Sequence, residues 1–309
     1  VSAALATLVP ILALIALGVW LGRSGFLDAA GWRAIDRMLF QVLFPALVIE
    51  AVARLGAASR EPFLIAAALG LGQATVTLIA VALRPLILRF PGGSRPAFAA
   101  FAQGVVRWNT AVAVALVAAV HGSDGVVLMA FAIAVMIPFA NLVSVTVLTL
   151  DGDNDHEMSF ASILRQLAHN PFLRAVAVGL VLAVLPVSLP GVVTETLHIL
   201  AQAATGLALL TVGAGIDLRR VFSFDPIAVL SAVVKLALMP TIVFGFATLF
   251  GLGPAATAVA LIAASVPTAS AGYTLARQMG GDADLMARII ALQTAIALVT
   301  VPLIAAAGG

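Results

Sequence analysis

Two short polar runs inside apolar stretches are where this sequence could do chemistry. They are Gly104-Val105-Val106-Arg107-Trp108-Asn109-Thr110 and Ser265-Val266-Pro267-Thr268-Ala269-Ser270-Ala271-Gly272. Proline has no N–H to donate and its ring clashes with the preceding turn, while Asn, Thr and Ser cap a helix that restarts after a break. Each run therefore predicts a helix interrupted midway. A restarting helix offers free N–H groups and partial positive charge, which suits an anion and requires no covalent step. The candidate substrate-binding residues are Arg107, Asn109, Thr110, Pro267, Thr268 and Ser270. Arg107 could neutralise the negative end of the preceding half-helix or grip a carboxylate with both arms of its guanidinium.

A charge inside a membrane is expensive and is a functional candidate by default. Lys235 lies nine residues beyond Pro226, roughly 13 Å along a helix. That depth suits pairing with a carbonyl or sensing substrate charge. Gln73, Asn141 and Gln293 are residue types that commonly hydrogen-bond between membrane helices. With Lys235 they are the candidates for a charge or coupling role. Glu50 and Arg54 are spaced for an ion pair on one helix. His198 and Glu195 could form a proton relay near an outer end.

The elements that must hold these residues are membrane helices. Of 309 residues, 62% are hydrophobic and 10% charged, against roughly a quarter charged in a soluble domain. That balance makes lipid the solvent. There is no cysteine, which removes disulfide and thiolate chemistry and cysteine-based metal sites. The sixteen basic residues are scattered between apolar stretches and form no run that could track nucleic acid.

Windows of about 20 apolar residues predict ten spans, near 4–22, 34–55, 63–84, 97–119, 125–149, 171–188, 193–216, 227–250, 255–278 and 285–306. The first is read as a span and not as a signal peptide, since no cleavage pattern follows a basic start. Twelve arginines fall in loops after odd-numbered spans, and only Arg54 and Arg60 after even-numbered ones. The positive-inside rule then puts both termini outside the cytoplasm and the 151–170 loop inside. That loop opens with Asp151, Asp153, Asp155 and Glu157. No glycine and terminal glutamate follow at the spacing a calcium loop requires, and it reads as a linker ending in a short amphipathic helix. No metal or other cofactor is expected.

Shifted by 158 positions, the chain matches itself: Pro96 meets Pro254, Thr110 meets Thr268, Gly122 meets Gly280 and Asp124 meets Asp282. Five spans per half is an odd number, so the second half enters the membrane from the opposite side. Inverted repeats with broken helices at the midplane are characteristic of secondary transporters. The expected fold is an all-α membrane protein with ten transmembrane helices in two inverted five-helix repeats, in which broken helices four and nine cross. Residues 1–150 form the first repeat, 151–170 the cytoplasmic linker and 171–309 the second repeat.

Several motifs resemble the auxin efflux carrier family, with its bacterial malonate-transporter-like members. They are Leu17-Gly18, Leu43-Phe44-Pro45-Ala46-Leu47-Val48-Ile49, Lys235-Leu236-Ala237-Leu238-Met239-Pro240, Pro267-Thr268-Ala269, Tyr273-Thr274-Leu275-Ala276 and Thr300-Val301-Pro302. The resemblance spans nearly the whole chain and implies the fold of bile-acid-type symporters. Helices 1, 2, 6 and 7 would form a scaffold, and helices 3–5 and 8–10 a transport domain. It also implies that Asn109 faces a carboxylate substrate. Plant members carry proline in the fourth-span break, where this chain has Asn109-Thr110.

The functional expectation is a secondary transporter moving a small organic anion, such as a dicarboxylate or an auxin-like acid, by an elevator mechanism. The alternatives are a sodium-coupled bile-acid-type symporter and a membrane sensor without transport. An enzyme is not expected: there is no Gly-x-Ser-x-Gly elbow and no His-Glu-x-x-His. No acidic residue lies at the breaks, which speaks against a dedicated sodium cage. The expected partners are the organic anion and the bilayer of a bacterial inner (plasma) membrane, with a homodimer through the scaffold helices as the candidate assembly.

Overall fold

The computed structural model describes residues 2–54, 60–153, 160–184, 189–215 and 225–307. The ends of the sixth and seventh expected spans lie partly outside these, as do Asp155, Glu157, Asp217, Arg219 and Arg220. Every element among the described residues is helical. In chain order they are α1 (Ser2–Ser24), α2 (Ala29–Met38), α3 (Phe44–Ala53), α4 (Glu61–Ala82), α5 (Arg84–Ile87), α6 (Arg95–Val106), α7 (Thr110–Asp151) and α8 (Phe160–Ala168). There follow α9 (Pro171–Val184), α10 (Gly191–Ala214), α11 (Pro226–Val233), α12 (Met239–Leu249), α13 (Pro254–Ser265), α14 (Ala271–Gln278) and α15 (Ala283–Ala307).

Helix coincides with each of the ten expected stretches. Five segments are long and apolar enough to cross a membrane: Glu61–Ala82, Arg95–Asp151, Gly191–Ala214, Pro226–Leu249 and Ala283–Val301. Ala161–Ala168 and Pro171–Val184, bent by 62°, make a sixth if taken together, while Val9–Ser24 and Pro254–Ser265 are apolar but shorter.

The irregularities have local causes. Two π-turns, Leu39–Leu43 and Val234–Leu238, each lie just before a proline, Pro45 and Pro240. The proline ring would collide with the carbonyl four residues back. Widening the turn avoids this, and the N–H of Phe44 reaches Leu39 while that of Met239 reaches Val234, five residues back. α7 is kinked at Gly122, whose φ of 58° and ψ of −149° are open only to glycine. The expected fourth and fifth spans meet there. Gly280, its counterpart at the 158-residue offset, also has a positive φ of 70°.

α1 packs along α10 through glycines. A Cβ on Gly18 would strike the backbone of Leu210, and one on Gly213 the carbonyl of Ile15. This is the close approach that small residues permit between membrane helices.

α4, α6, α7 and α11–α15 pack together as a second group. At one end of it Asp151 closes the C-terminus of α7 as a buried ion pair instead of opening a loop. Its carboxylate accepts from Arg84 at 2.5 Å and from Arg95 at 3.3 Å, and Arg95 also donates to the Leu150 carbonyl. Hydrogen bonding to Asp151, reinforced by its charge, holds the Arg84 guanidinium above its ordinary pKa. Nearby, the Asp153 N–H reaches the Gly280 carbonyl at 2.9 Å and the Asp282 N–H that of Pro96 at 3.2 Å, joining segments far apart in the chain.

Candidate functional site

Two of the helices are broken where the polar runs predicted. α6 stops at Val106, Arg107-Trp108-Asn109 are non-helical, and α7 starts at Thr110. α13 stops at Ser265, and α14 starts at Ala271. The breaks touch: the Asn109 N–H donates to the Pro267 carbonyl at 2.8 Å. Asn109 also caps α7, its Oδ1 accepting from the Val112 N–H at 3.2 Å. With the oxygen committed, the amide Nδ2 is the part of Asn109 left to donate to a ligand. At the opening of α7 the Val112 N–H is taken by Asn109 Oδ1, and at that of α14 the Gly272 and Tyr273 N–H groups reach the Ala269 and Ser270 carbonyls, so the N–H groups of Thr110, Ala111 and Ala271 are the donors that the two half-helix N-termini bring to one region.

The other ends of the half-helices are met by side chains. Gln73 Nε2 donates to the Val106 carbonyl at 2.8 Å, so this residue contacts the first break. Gln293 is the hub. It accepts from the Thr268 N–H at 2.9 Å and donates to the Gly104 carbonyl and to Ser231 Oγ, both at 3.0 Å. Thr268 Oγ1 donates to the Gln103 carbonyl at 3.4 Å. Thr268 and Gln293 are thus buried links between α6, α11, α15 and the second break.

Arg107 follows α6 as its C-cap. Its Nη1 donates to Asn141 Oδ1 at 3.4 Å, its Nε is buried without a partner, and its stem lies against Gly272 of α14. Thr110 is buried at the start of α7, and Ser270 is exposed at the start of α14, making no cap. Lys235 is fully buried in the second π-turn, with no hydrogen-bond partner for Nζ.

Two participants were missed. Gln103 is fully buried with neither polar side-chain atom partnered. Its position four residues before Arg107, one turn below the break, was the available signal. Ser231 stands four residues before Lys235 on one helix, a spacing that puts both on one face.

A small cavity lies against the second break. It is lined by Ile15 of α1, Leu209 and Val212 of α10, Val112 of α7, Pro267 and Thr294, among others, and its accessible space is about 20 Å³. That is room for about one water molecule. Away from the breaks, Glu50 Oε1 accepts from Arg54 at 2.7 Å, as its spacing predicts, and also meets His198 Nδ1 at 2.9 Å across α3 and α10. His198 Nε2 lies 2.8 Å from Gln202 Nε2. Among the described residues no group of three or more acidic or histidine side chains could hold a metal ion.

The described residues, all helical with several membrane-length apolar segments, define an integral membrane protein. A family model described as membrane transport protein matches residues 3–305. The chain belongs to that family, the auxin efflux carrier and membrane transport protein family. No curated protein matches it.

Proposed function

We propose that the protein is a secondary transporter carrying a small organic anion, with the carboxylate held where the two broken helices meet. The observation that carries this reading is the hydrogen bond from Asn109 N–H to the Pro267 carbonyl. It brings together two helix N-termini, whose free donors and partial positive charge favour an anion. Arg107 and Lys235 add two cationic side chains to the same region, and no carboxylate among the described residues pairs with either. The Asn109 amide and the N–H groups opening α7 and α14 would orient the carboxylate, with the Arg107 guanidinium beside them.

In this reading ten spans form two inverted halves. Helices 1, 2, 6 and 7 stay fixed in the inner membrane while the rest carry the site across it. The cavity between α1, α10 and the second break supports a binding place on that moving boundary, closed to a single water's volume in this conformation. Its walls are mostly apolar, which favours an acid with a hydrocarbon portion.

Uptake of labelled monocarboxylates and dicarboxylates into proteoliposomes tests the proposal. Saturable uptake of at least one acid, weakened by Asn109→Ala, is expected. A protein that binds acids but moves none would be a sensor, and one that binds none would overturn the anion site.

A further inference from the structure

A second polar network lies away from the crossover, between α3 and α10. Glu50 Oε1 meets His198 Nδ1 at 2.9 Å and accepts from Arg54 at 2.7 Å. The other ring nitrogen, His198 Nε2, lies 2.8 Å from Gln202 Nε2. An amide nitrogen can only donate, so Nε2 is the acceptor here and the ring proton sits on Nδ1, donating to Glu50. A neutral His198 is thus bonded at both nitrogens. The Glu50 side chain is 10% exposed, but those of His198 and Arg54 are 43% and 55% exposed.

A proton added at Nε2 reverses one of these bonds. An imidazolium donates from both nitrogens, so the Gln202 amide must turn its oxygen to the ring. Its NH2 then points where the oxygen pointed before. The group of Arg54, Glu50 and His198, one cation and one anion while the ring is neutral, gains a positive charge. A free amide donor and an added charge both favour a carboxylate at that surface.

The place of the network on α10 gives this a direction. His198, Gln202, Thr205, Leu209 and Val212 have the spacing of one helix face. Leu209 and Val212 line the cavity against the second break, and Leu209 is eleven residues from His198, roughly 16 Å along the helix. Leu209 is buried, Thr205 half-buried and Gln202 exposed, so the face runs from the cavity to an accessible polar end.

The other charged groups on the elements packed here are accounted for. Glu195 precedes His198 on α10 and is exposed. Arg23 ends α1, where Gly22 packs on Ala214, sixteen residues from His198. α2 carries Arg33, Asp36 and Arg37, with Asp36 bonded to Thr211. Arg174 of α9 donates to the Ala168 carbonyl. α7 carries Asp151, held by Arg84 and Arg95, and His121 and Asp124 at its kink. The π-turn Leu39–Leu43 has none. His121 is accordingly the control for any effect of pH.

We propose that His198, Gln202 and Arg54 form a proton-controlled docking site for a carboxylate, at the exposed end of the α10 face that leads to the cavity. Its service to transport rests on the transport reading above; the docking itself does not.

Histidine-selective 15N labelling of the full-length protein in detergent tests this. The chain has four histidines, and His198→Gln identifies the signals of His198; Gln202→Leu, at an exposed position, does so if that variant fails to fold. Spectra are taken at about pH 6 and about pH 8, toward the two ends of the range in which histidine changes charge. At the higher pH the His198 ring should be neutral with its proton on Nδ1, and at the lower pH protonated at both nitrogens. Benzoate, ionised at both, should shift the His198 signals with half-saturation at least about threefold lower at the lower pH. The same response is expected in Asn109→Ala, whereas Gln202→Leu should lose it and the His121 signals should not follow it. A neutral ring protonated at Nε2 overturns the proposal. So does a His198 signal that benzoate leaves in place at the lower pH, or a response that survives Gln202→Leu. Loss of the response in Asn109→Ala overturns it as well, by returning the effect to the crossover. Benzoate that docks at His198 but never enters proteoliposomes counts against the transport reading and leaves the docking site standing.

Discussion

The main-chain N–H of Asn109 donates to the main-chain carbonyl of Pro267 at 2.8 Å, so the two helix breaks are joined backbone to backbone. Side-chain substitutions at Asn109 leave that bridge available. They therefore read out the cap and the amide donor separately from the crossing itself.

Asn109→Ala removes both the cap on Val112 and the amide, each worth on the order of 1 kcal/mol. Carboxylate affinity should fall roughly fivefold to tenfold. Asn109→Asp keeps a capping oxygen but exchanges a donor for a negative charge. It should bind carboxylates at least about tenfold more weakly while unfolding at nearly the wild-type temperature. Calorimetry with a panel of monocarboxylates and dicarboxylates measures both, and wild-type affinity in the Asp variant would remove Asn109 from the site.

Arg107→Lys separates gripping from balancing. A guanidinium that forks onto a carboxylate is poorly replaced by a point charge, whereas the end of α6 is served nearly as well by either. A clear loss of affinity with little change in stability is expected. Unchanged affinity would assign Arg107 to the helix end and to Asn141.

Gln293→Leu should be the most damaging of the amide substitutions. It orphans the Thr268 N–H, the Gly104 carbonyl and Ser231 Oγ together, and each buried orphan costs about 1–3 kcal/mol. Gln73→Leu orphans the Val106 carbonyl and should cost less. Thermal unfolding in detergent ranks the two, and a reversed order would contradict the hub role of Gln293.

Orientation is open to a labelling test, because the chain has no cysteine of its own. Ala168→Cys, exposed at the end of α8, should react with an impermeant maleimide in inverted vesicles and not in intact cells. Labelling in intact cells would reverse the topology drawn from the arginines.

What sequence alone established came from chemistry written into short stretches. Apolar length marked where helices run, since lipid leaves a backbone no other way to satisfy its hydrogen bonds. Pro267, Asn109 and Thr110 marked the breaks, since a missing N–H or a capping oxygen acts on its own turn. The Glu50–Arg54 pair was legible for the same reason, at one turn's spacing. Tertiary structure decided everything that depends on which faces meet. No local rule connects Gln293 with Gly104, 189 positions away, or brings Gln73 to the Val106 carbonyl at the end of α6. Asp151 reads as the start of a polar loop until folding brings Arg84 and Arg95 around it. The burial of Lys235, with no hydrogen-bond partner for Nζ among the described residues, is likewise set by the helices packed around its turn. Propensity and capping act within a turn or two of chain, whereas the pairing of a charge or an amide with its partner is settled only when distant segments pack.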